Sequence, residues 1–524
     1  MKFQPSFLTP SLLKPSLLTQ GCTVAMFLST AVLLTACHSD SDNQPFQDNK
    51  PVQDGKSDNK KDGKTDKPVT DKPIKNSPLI GKAEVINTFS TEKLNQLVKG
   101  QTNITAKCDV KVKKLTYHTQ GSAGELTKAT SALMIPTGKG KDCSGKRPVL
   151  LYAHGTTVEQ SYDLTQVGNS HKAGSGQADE LAVNYASQGY VVVAPNYAGY
   201  DKSTLNYHPY LNKKQQTIDM YNALKSARHA VQEEKELSFA DKLFISGYSQ
   251  GGFVALATAE YLQNQGETVT AVAPMSGPYA MLAFGDAIFS GQVNQGATIF
   301  APLVATNYQK QYGDLYNSPS DVYNPKYANT APTAMPSDMT VTELVDNNKI
   351  PYLPLFQSNT GNQMLEKLPK SAPFFFHDTD YLIKTEYRLN YLADTKENPD
   401  TLSSTGQTSK CGGNQDPMVF FDVNTSNIAN IWRQKADLDI TILDVDNTNA
   451  KDRNNMPTLQ YIGKASKNKR NMDTIAKGVQ KDFASEVNKT FKASGKLGML
   501  MNYHSPLTHT ACADATRQYF AQFR

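Results

Sequence analysis

The sequence predicts an α/β fold of the doubly wound class, a mostly parallel sheet with helices on both faces. Two observations carry this. Short continuous apolar runs recur at 148–153 (PVLLYA), 190–194 (YVVVA), 243–246 (LFIS) and 269–275 (VTAVAPM), as in strands buried on both faces. Helix-like stretches at 177–188, 213–234 and 250–266 separate them, which makes βαβ units and hence parallel neighbours.

The remaining elements follow in chain order. Val24 to Ala36 (VAMFLSTAVLLTA) is an apolar stretch of thirteen residues behind Lys2 and Lys14. It is too short to span a bilayer comfortably and suits a secretory signal over residues 1–36. It ends Leu34-Thr35-Ala36-Cys37, and small residues before a cysteine resemble a bacterial lipobox with Cys37 as the lipidated mature N-terminus. His38 follows, not an aspartate, which by resemblance to bacterial sorting rules directs the exported lipoprotein to the outer membrane. Residues 38–80 hold eight Asp and eight Lys with almost no apolar residues. Such a segment cannot bury enough surface to offset its ordering entropy, so 37–80 is expected to be a disordered tether. The globular domain is expected over 81–524. Within it, 108–135 alternates polar and apolar around QGSAGE, the pattern of an antiparallel hairpin. The strand–helix alternation stops after Met275. Residues 277–400 are rich in Tyr, Pro, Asn and Ala and are expected to form an inserted, mainly helical cap. A strand pattern returns at 438–445 (LDITILDV), a Lys-rich polar stretch runs to about 497, and a helix closes the chain near 511–523.

Composition narrows the function. Fifty-four basic and 49 acidic residues give a net charge of +5, with no basic block interleaved with aromatics, so nucleic acid is not an expected partner. Mean hydropathy is −0.50 and the one long apolar stretch is N-terminal, which excludes a multi-span membrane protein. Of six cysteines, Cys22 lies in the signal and Cys37 at the lipid site. Cys108, Cys143, Cys411 and Cys512 remain, an even number in an exported chain, and predict two disulfides in one of three pairings. No Cys-x-x-Cys or tight Cys/His spacing suggests zinc, and neither a metal nor an organic cofactor is expected.

The strongest chemical signal is Gly247-Tyr248-Ser249-Gln250-Gly251, between the run LFIS and the helical GFVALATAEYL. A Gly-x-Ser-x-Gly at a strand-to-helix turn is a nucleophile elbow: glycines relieve the sharp turn and the serine oxygen stands above the sheet. His154-Gly155-Thr156-Thr157 follows the apolar run PVLLYA. The loop after that strand gives the second oxyanion donor, so the N–H groups of Gln250 and Thr156 are the expected pair. His154 precedes the serine and is read as shaping the loop, because in this fold the order is serine, acid, histidine. Tyr197, Tyr200, Tyr207, His208 and Tyr210 cluster after a strand; bracing a long loop is preferred to lining a pocket.

These segments, LYAHGTT (151–157), VVVAPNYAGYDKSTLNYHPYL (191–211), KLFISGYSQGG (242–252), CGGNQDPMVFFDVNT (411–425) and NYHSPLTHTACADATRQYF (502–520), resemble the α/β-hydrolase superfamily. More narrowly they are similar to secreted bacterial lipoprotein esterases and lipases related to the fungal secretory lipases. The resemblance spans about 105–520 and implies Asp416 as the acid and His504 as the base, with His509 as the alternative base and Asp444 and Asp446 as rival acids. One departure stands out: SSTGQTSK before Cys411 is polar where the family has an apolar strand. Cys411 lies five residues before Asp416 and Cys512 eight after His504. A Cys411–Cys512 bond would tie acid loop to histidine loop and leaves Cys108–Cys143 to clamp the hairpin. The expected activity is carboxylic-ester hydrolysis through an acyl-enzyme, on a small-molecule ester or lipid, by a protein lipid-anchored to a bacterial membrane. The alternatives are a serine peptidase or acyltransferase of the same fold, or a non-catalytic surface binding protein.

Overall fold

The structure, a computed structural model, describes residues 77–99, 104–234, 237–289, 295–313, 316–323, 325–351, 407–433, 438–447, 457–469 and 471–524. The signal segment, Cys37, nearly all of the expected tether and residues 352–400 of the expected cap lie outside them. The described domain starts slightly before residue 81. Ile80 N–H donates to Thr116 O and His118 N–H to Pro78 O, at 2.8 and 2.9 Å, so the chain entering the domain already pairs with the sheet.

A ten-stranded sheet runs in the order β1-β2-β3-β5-β4-β6-β7-β8-β9-β10. Its strands are β1 Glu84–Phe89, β2 Asp109–Gln120, β3 Leu126–Thr137, β4 Gly145–Ala153, β5 Val191–Pro195, β6 Leu237–Tyr248, β7 Ala271–Met275, β8 Gln407–Gly412, β9 Asp439–Asp444 and β10 Leu459–Gly463. From β5 through β9 all neighbours are parallel. The β1–β2–β3 edge and β10 are antiparallel. β2 and β3 are the expected hairpin, in register from Asp109↔Thr137 to Gln120↔Leu126.

The four apolar runs are the central strands β4 to β7, and every residue of β5 and β7 is buried. Both faces of the sheet must therefore be covered. Between the strands come helices α1 (Thr91–Leu97), α2 (Ser175–Asn184), α3 (Lys213–Val231) and α4 (Gln250–Asn264). The side chain of Asn212 caps α3 by accepting from Gln215 N–H at 3.0 Å, which satisfies one of the four orphan donors of a helix start. After β7 come α5 (Met281–Phe289) and α6 (Ala297–Tyr312), so the described first part of the expected cap is helical. The Lys-rich stretch is a helix too, Met472–Asn502, and His509–Ala521 closes the chain. Phe520 of this last helix packs on Phe244 of β6 at a ring-centroid distance of 4.8 Å. Among the described residues no helix is long and apolar enough to cross a membrane.

Parallel register fixes where the chemistry gathers. Ala153 pairs with Gly247, Gly247 with Pro274, Met275 with Cys411 and Gly412 with Asp444. The carboxyl ends of β4, β6, β7, β8 and β9 thus form one rim. The chain leaves β4 for β5 on one side and returns to β6 on the other, a reversal outside which open α/β sheets form their binding crevice.

Candidate active site

Ser249 sits on that rim between β6 and α4, at φ 57° and ψ −121°. This is strained backbone for a non-glycine residue, and such strain persists only where the surroundings enforce it. Here the enforcement is visible. Ser249 N–H donates to Met275 O at 2.9 Å, and its carbonyl accepts from Gly252 N–H at 2.8 Å. A Cβ at Gly247 would lie 2.3 Å from Gly251 O, and one at Gly251 would lie 2.0 Å from Ala153 O. Both glycines are thus demanded by the close approach of α4 to the strand ends. Gln250, the first residue of α4, keeps its N–H at the helix start, where donors have no intrahelical partner.

Asp416 lies in the loop after β8. Its Oδ1 accepts from the N–H groups of Met418 and Val419 at 2.9 and 3.0 Å, and its Oδ2 meets His504 Nδ1 at 2.6 Å. Both side chains are buried. His504 is in the turn Tyr503–Thr508 between the last two helices, where the backbone leaves helical geometry at Ser505 (φ −144°, ψ 128°). With Nδ1 donating to the carboxylate, Nε2 is left as the acceptor. It is buried and makes no hydrogen bond among the described residues. The Tyr248 hydroxyl donates to the His504 carbonyl and its ring lies 4.9 Å from the imidazole, so His504 stands against the elbow. His509 does not meet Asp416; its Nε2 is 3.5 Å from Glu180 Oε2. The two disulfides are Cys108–Cys143 and Cys411–Cys512.

The carboxylates named as rivals hold the acid loop in place. Asp444 accepts from the Asn414 side chain at 2.7 Å and from its N–H at 3.1 Å; burial pushes its carboxyl up to about 8. Asp446 accepts from Gln415 Nε2 at 2.9 Å and from the Tyr503 hydroxyl at 2.6 Å. The same hydroxyl accepts from Gln415 N–H at 3.2 Å. Residues on either side of the Asp416–His504 pair are therefore joined through Asp446.

The loop after β4 is braced by the aromatic cluster. Tyr197 and Tyr200 hydroxyls donate to the carbonyls of His154 and Thr157 at 3.1 and 2.8 Å. Tyr210 OH and Thr156 Oγ1 are 2.8 Å apart. His154 stacks on Tyr197 at 4.0 Å, and burial pulls it down to about 4, so it is neutral; its Nδ1 lies 2.7 Å from Gly155 O and its Nε2 3.2 Å from Asn196 O, and its one N–H donates to one of the two. His208 is neutral as well, pulled down by burial to about 3. It donates from Nδ1 to Ala198 O and accepts at Nε2 from Gln250 Nε2, at 2.8 and 2.6 Å. Beneath the loop, Lys114 bridges Asp163 and Asp201 at 2.7 and 2.9 Å. Sequence reasoning did not assign Tyr248, Tyr503 or Lys114. Tyr248 lay inside the motif itself, whereas the partners of the other two are distant in the chain.

Ser249 and Gln250 line a small pocket walled by Tyr210, Met281, Phe284, Phe300, Val304 and Val419 among others. The wall is almost wholly apolar and comes largely from α5 and α6. The Gln250 side-chain oxygen is buried and makes no hydrogen bond among the described residues. Among the described residues no group of His, Cys, Asp or Glu is arranged to hold a metal ion.

Comparison with known proteins agrees with the fold. The prolyl oligopeptidase family matches residues 178–311. The rice cell wall degrading esterase LipA from Xanthomonas oryzae is similar at 26% identity and a TM-score of 0.57, over 72% of this chain and 92% of that one. Its ligand-bound form gives a TM-score of 0.58 at the same identity and coverage. A hydrolase fold from Legionella pneumophila (a putative hydrolase) aligns with a TM-score of 0.56 at 20% identity, over 69% and 90% of the two chains. No curated protein matches. The chain has the α/β-hydrolase fold and is an esterase-like hydrolase.

Proposed function

We propose that the chain is a serine carboxylic-ester hydrolase working through an acyl-enzyme. The observation that carries this is the Asp416–His504 pair, with Nε2 left as the free acceptor, set against Tyr248 of the elbow whose Ser249 lines an apolar pocket. Ser249 Oγ attacks the ester carbonyl while His504 Nε2 takes its proton. His504 then protonates the leaving alcohol, and water deacylates the enzyme by the same base. Asp416 holds the tautomer and stabilises the imidazolium. The N–H groups of Gln250 and Thr156 receive the oxyanion, each such donor contributing about 3–4 kcal/mol to the transition state. Ser249 and His504 do not hydrogen-bond in the free enzyme, a looseness common before substrate tightens the site. The apolar wall suits the acyl chain of a small-molecule ester or lipid.

The N-terminal sequence completes the reading. Cleavage before Cys37 and its lipidation would hold the hydrolase on a tether at the outer membrane of a bacterium. Palmitate labelling lost in Cys37→Ala checks this. The test of the chemistry is hydrolysis of p-nitrophenyl esters from acetate to palmitate. Activity should fall in Ser249→Ala on the order of 10⁶-fold in kcat, and a fluorophosphonate should label only the unaltered serine. The prolyl oligopeptidase match gives one competing reading, a serine peptidase. Cleavage of prolyl peptides by a labelled enzyme inert towards every ester would select it. A folded protein with neither activity nor labelling would leave a binding role.

A further inference from the structure

Outside the catalytic rim, the Met472–Asn502 helix carries two large apolar side chains, Phe491 and Leu497, that are exposed among the described residues. Its first half is anchored: Met472, Ile475, Ala476, Val479 and Phe483 are buried, at spacings that put them on one face. Val487 extends this stripe half-buried against the core. Phe491 extends it again, but there the core has ended. Every residue from 491 to 497 is exposed, with Phe491 at 52% and Leu497 at 56% of full exposure. The helix breaks at Gly495 (φ 66°, ψ −170°), so the two side chains flank that break in an exposed tip. The charge of this tip is net positive; Glu486 at its base pairs with Lys489 at 2.6 Å. Lys489, Lys492 and Lys496 are exposed on it, and no acidic residue occurs between Glu486 and Asp514.

We propose that this tip docks on an anionic lipid surface, with Phe491 and Leu497 entering the interfacial layer and the three lysines facing the headgroups. Apolar side chains interleaved with lysines on an exposed tip are what an interfacial segment needs, because hydrophobic insertion and headgroup attraction add. A second copy of the tip is a poor occupant, since it would set like charges together. So is a broad protein interface, which needs a continuous face of roughly 800 Å² on each partner. The chain runs from Leu497 to His504 in seven residues, so docking holds the histidine loop near the bilayer. The proposal does not depend on the catalytic reading.

The test uses the full chain carrying Phe491→Trp; the single native tryptophan, Trp432, is buried. Vesicles of phosphatidylglycerol with phosphatidylcholine are compared with phosphatidylcholine alone, with brominated acyl chains as quenchers. The expected result is a blue shift and acyl-chain quenching of the new indole on the anionic vesicles. Adding Lys489→Gln, Lys492→Gln and Lys496→Gln should weaken this response roughly a hundredfold, about fivefold per lysine. p-Nitrophenyl acetate hydrolysis or, failing that, a thermal melt reports that the fold is kept. Three results overturn the proposal: an indole still solvent-exposed while the chain sediments with vesicles, an indole already blue-shifted and acrylamide-protected without vesicles (the tip then lies against this chain or another copy), and equal quenching on both vesicle types.

Discussion

The Cys411–Cys512 bond should serve stability and catalysis together, and the two can be separated. It closes a loop of 101 residues, and Cys108–Cys143 one of 35. In the chain-entropy account these restrain the unfolded chain by about 4.7 and about 3.8 kcal/mol respectively. Either loss is large against a total stability of roughly 5–15 kcal/mol. Both paired alanine variants should therefore unfold at lower urea, Cys411→Ala/Cys512→Ala at the lowest. Their catalytic effects should differ. The first bond joins the end of β8, five residues before Asp416, to the helix that starts just after the His504 turn. Without it the 2.6 Å contact between His504 and Asp416 is held by fewer restraints, and a misplacement of about 1 Å costs on the order of 10²-fold in rate. The second bond links the approach to β2 with the approach to β4 and touches none of these groups. The assay is kcat on p-nitrophenyl butyrate well below each variant's unfolding midpoint. An unchanged kcat in Cys411→Ala/Cys512→Ala, or an equal loss in Cys108→Ala/Cys143→Ala, refutes the reasoning.

Four further outcomes follow from single side chains. Asp416→Asn keeps the shape but offers His504 Nδ1 a donor, which fixes the wrong tautomer; kcat should drop about 10⁴-fold in a protein whose circular dichroism is unchanged. Gly251→Ala sets a methyl 2.0 Å from the Ala153 carbonyl and should cost more than about 3 kcal/mol in urea unfolding. Gly478→Ala, mid-helix with nothing within 4 Å, should instead gain up to about 1 kcal/mol. For His208 the folded value is lowered to about 3 by burial, while the unfolded chain titrates near 6.5. As pH falls below about 6.5 the unfolded chain takes up the proton and the folded one does not, so the stability held by the neutral ring is lost down to about 3. The stability gap between the native chain and His208→Asn should narrow by up to about 1.4 kcal/mol per pH unit in that window. A gap constant from pH 7 to 5 would contradict the assignment.

The sheet was legible where burial on both faces made its strands apolar, at β4, β5, β6 and β7. It was not legible at β8, whose residues QTSKCG are polar yet buried. Lys410 shows why. Its ammonium nitrogen lies 3.3 Å from the centre of the Tyr279 ring and 4.8 Å from that of Trp432, and burial lowers its pKa well below the ordinary lysine value. The partners that let a lysine occupy a central strand come from residues 131 positions before it and 22 after it, so no local pattern announces the strand. The Met472–Asn502 helix was hidden differently. Its buried stripe of Met, Ile, Ala, Val and Phe keeps helical spacing, but lysines and small residues dilute it, and from 491 to 497 every residue is exposed.

The site divides along the same line. Ser249, Gly247 and Gly251 were readable because one turn of backbone contains both the chemistry and its steric requirement. Asp416 and His504 were placed by resemblance, and the structure adds why they can meet. Parallel register brings the ends of β6, β7, β8 and β9 to one rim. Above it Asp446 binds Gln415 on the acid loop and Tyr503 beside the histidine. Those pairs are 31 and 57 residues apart. A carboxylate at the end of an apolar strand looks, in sequence, like a rival acid. Only its partners reveal that it positions the acid and the base, and this is why Asp444 and Asp446 drew attention for a role that the geometry gives to neither.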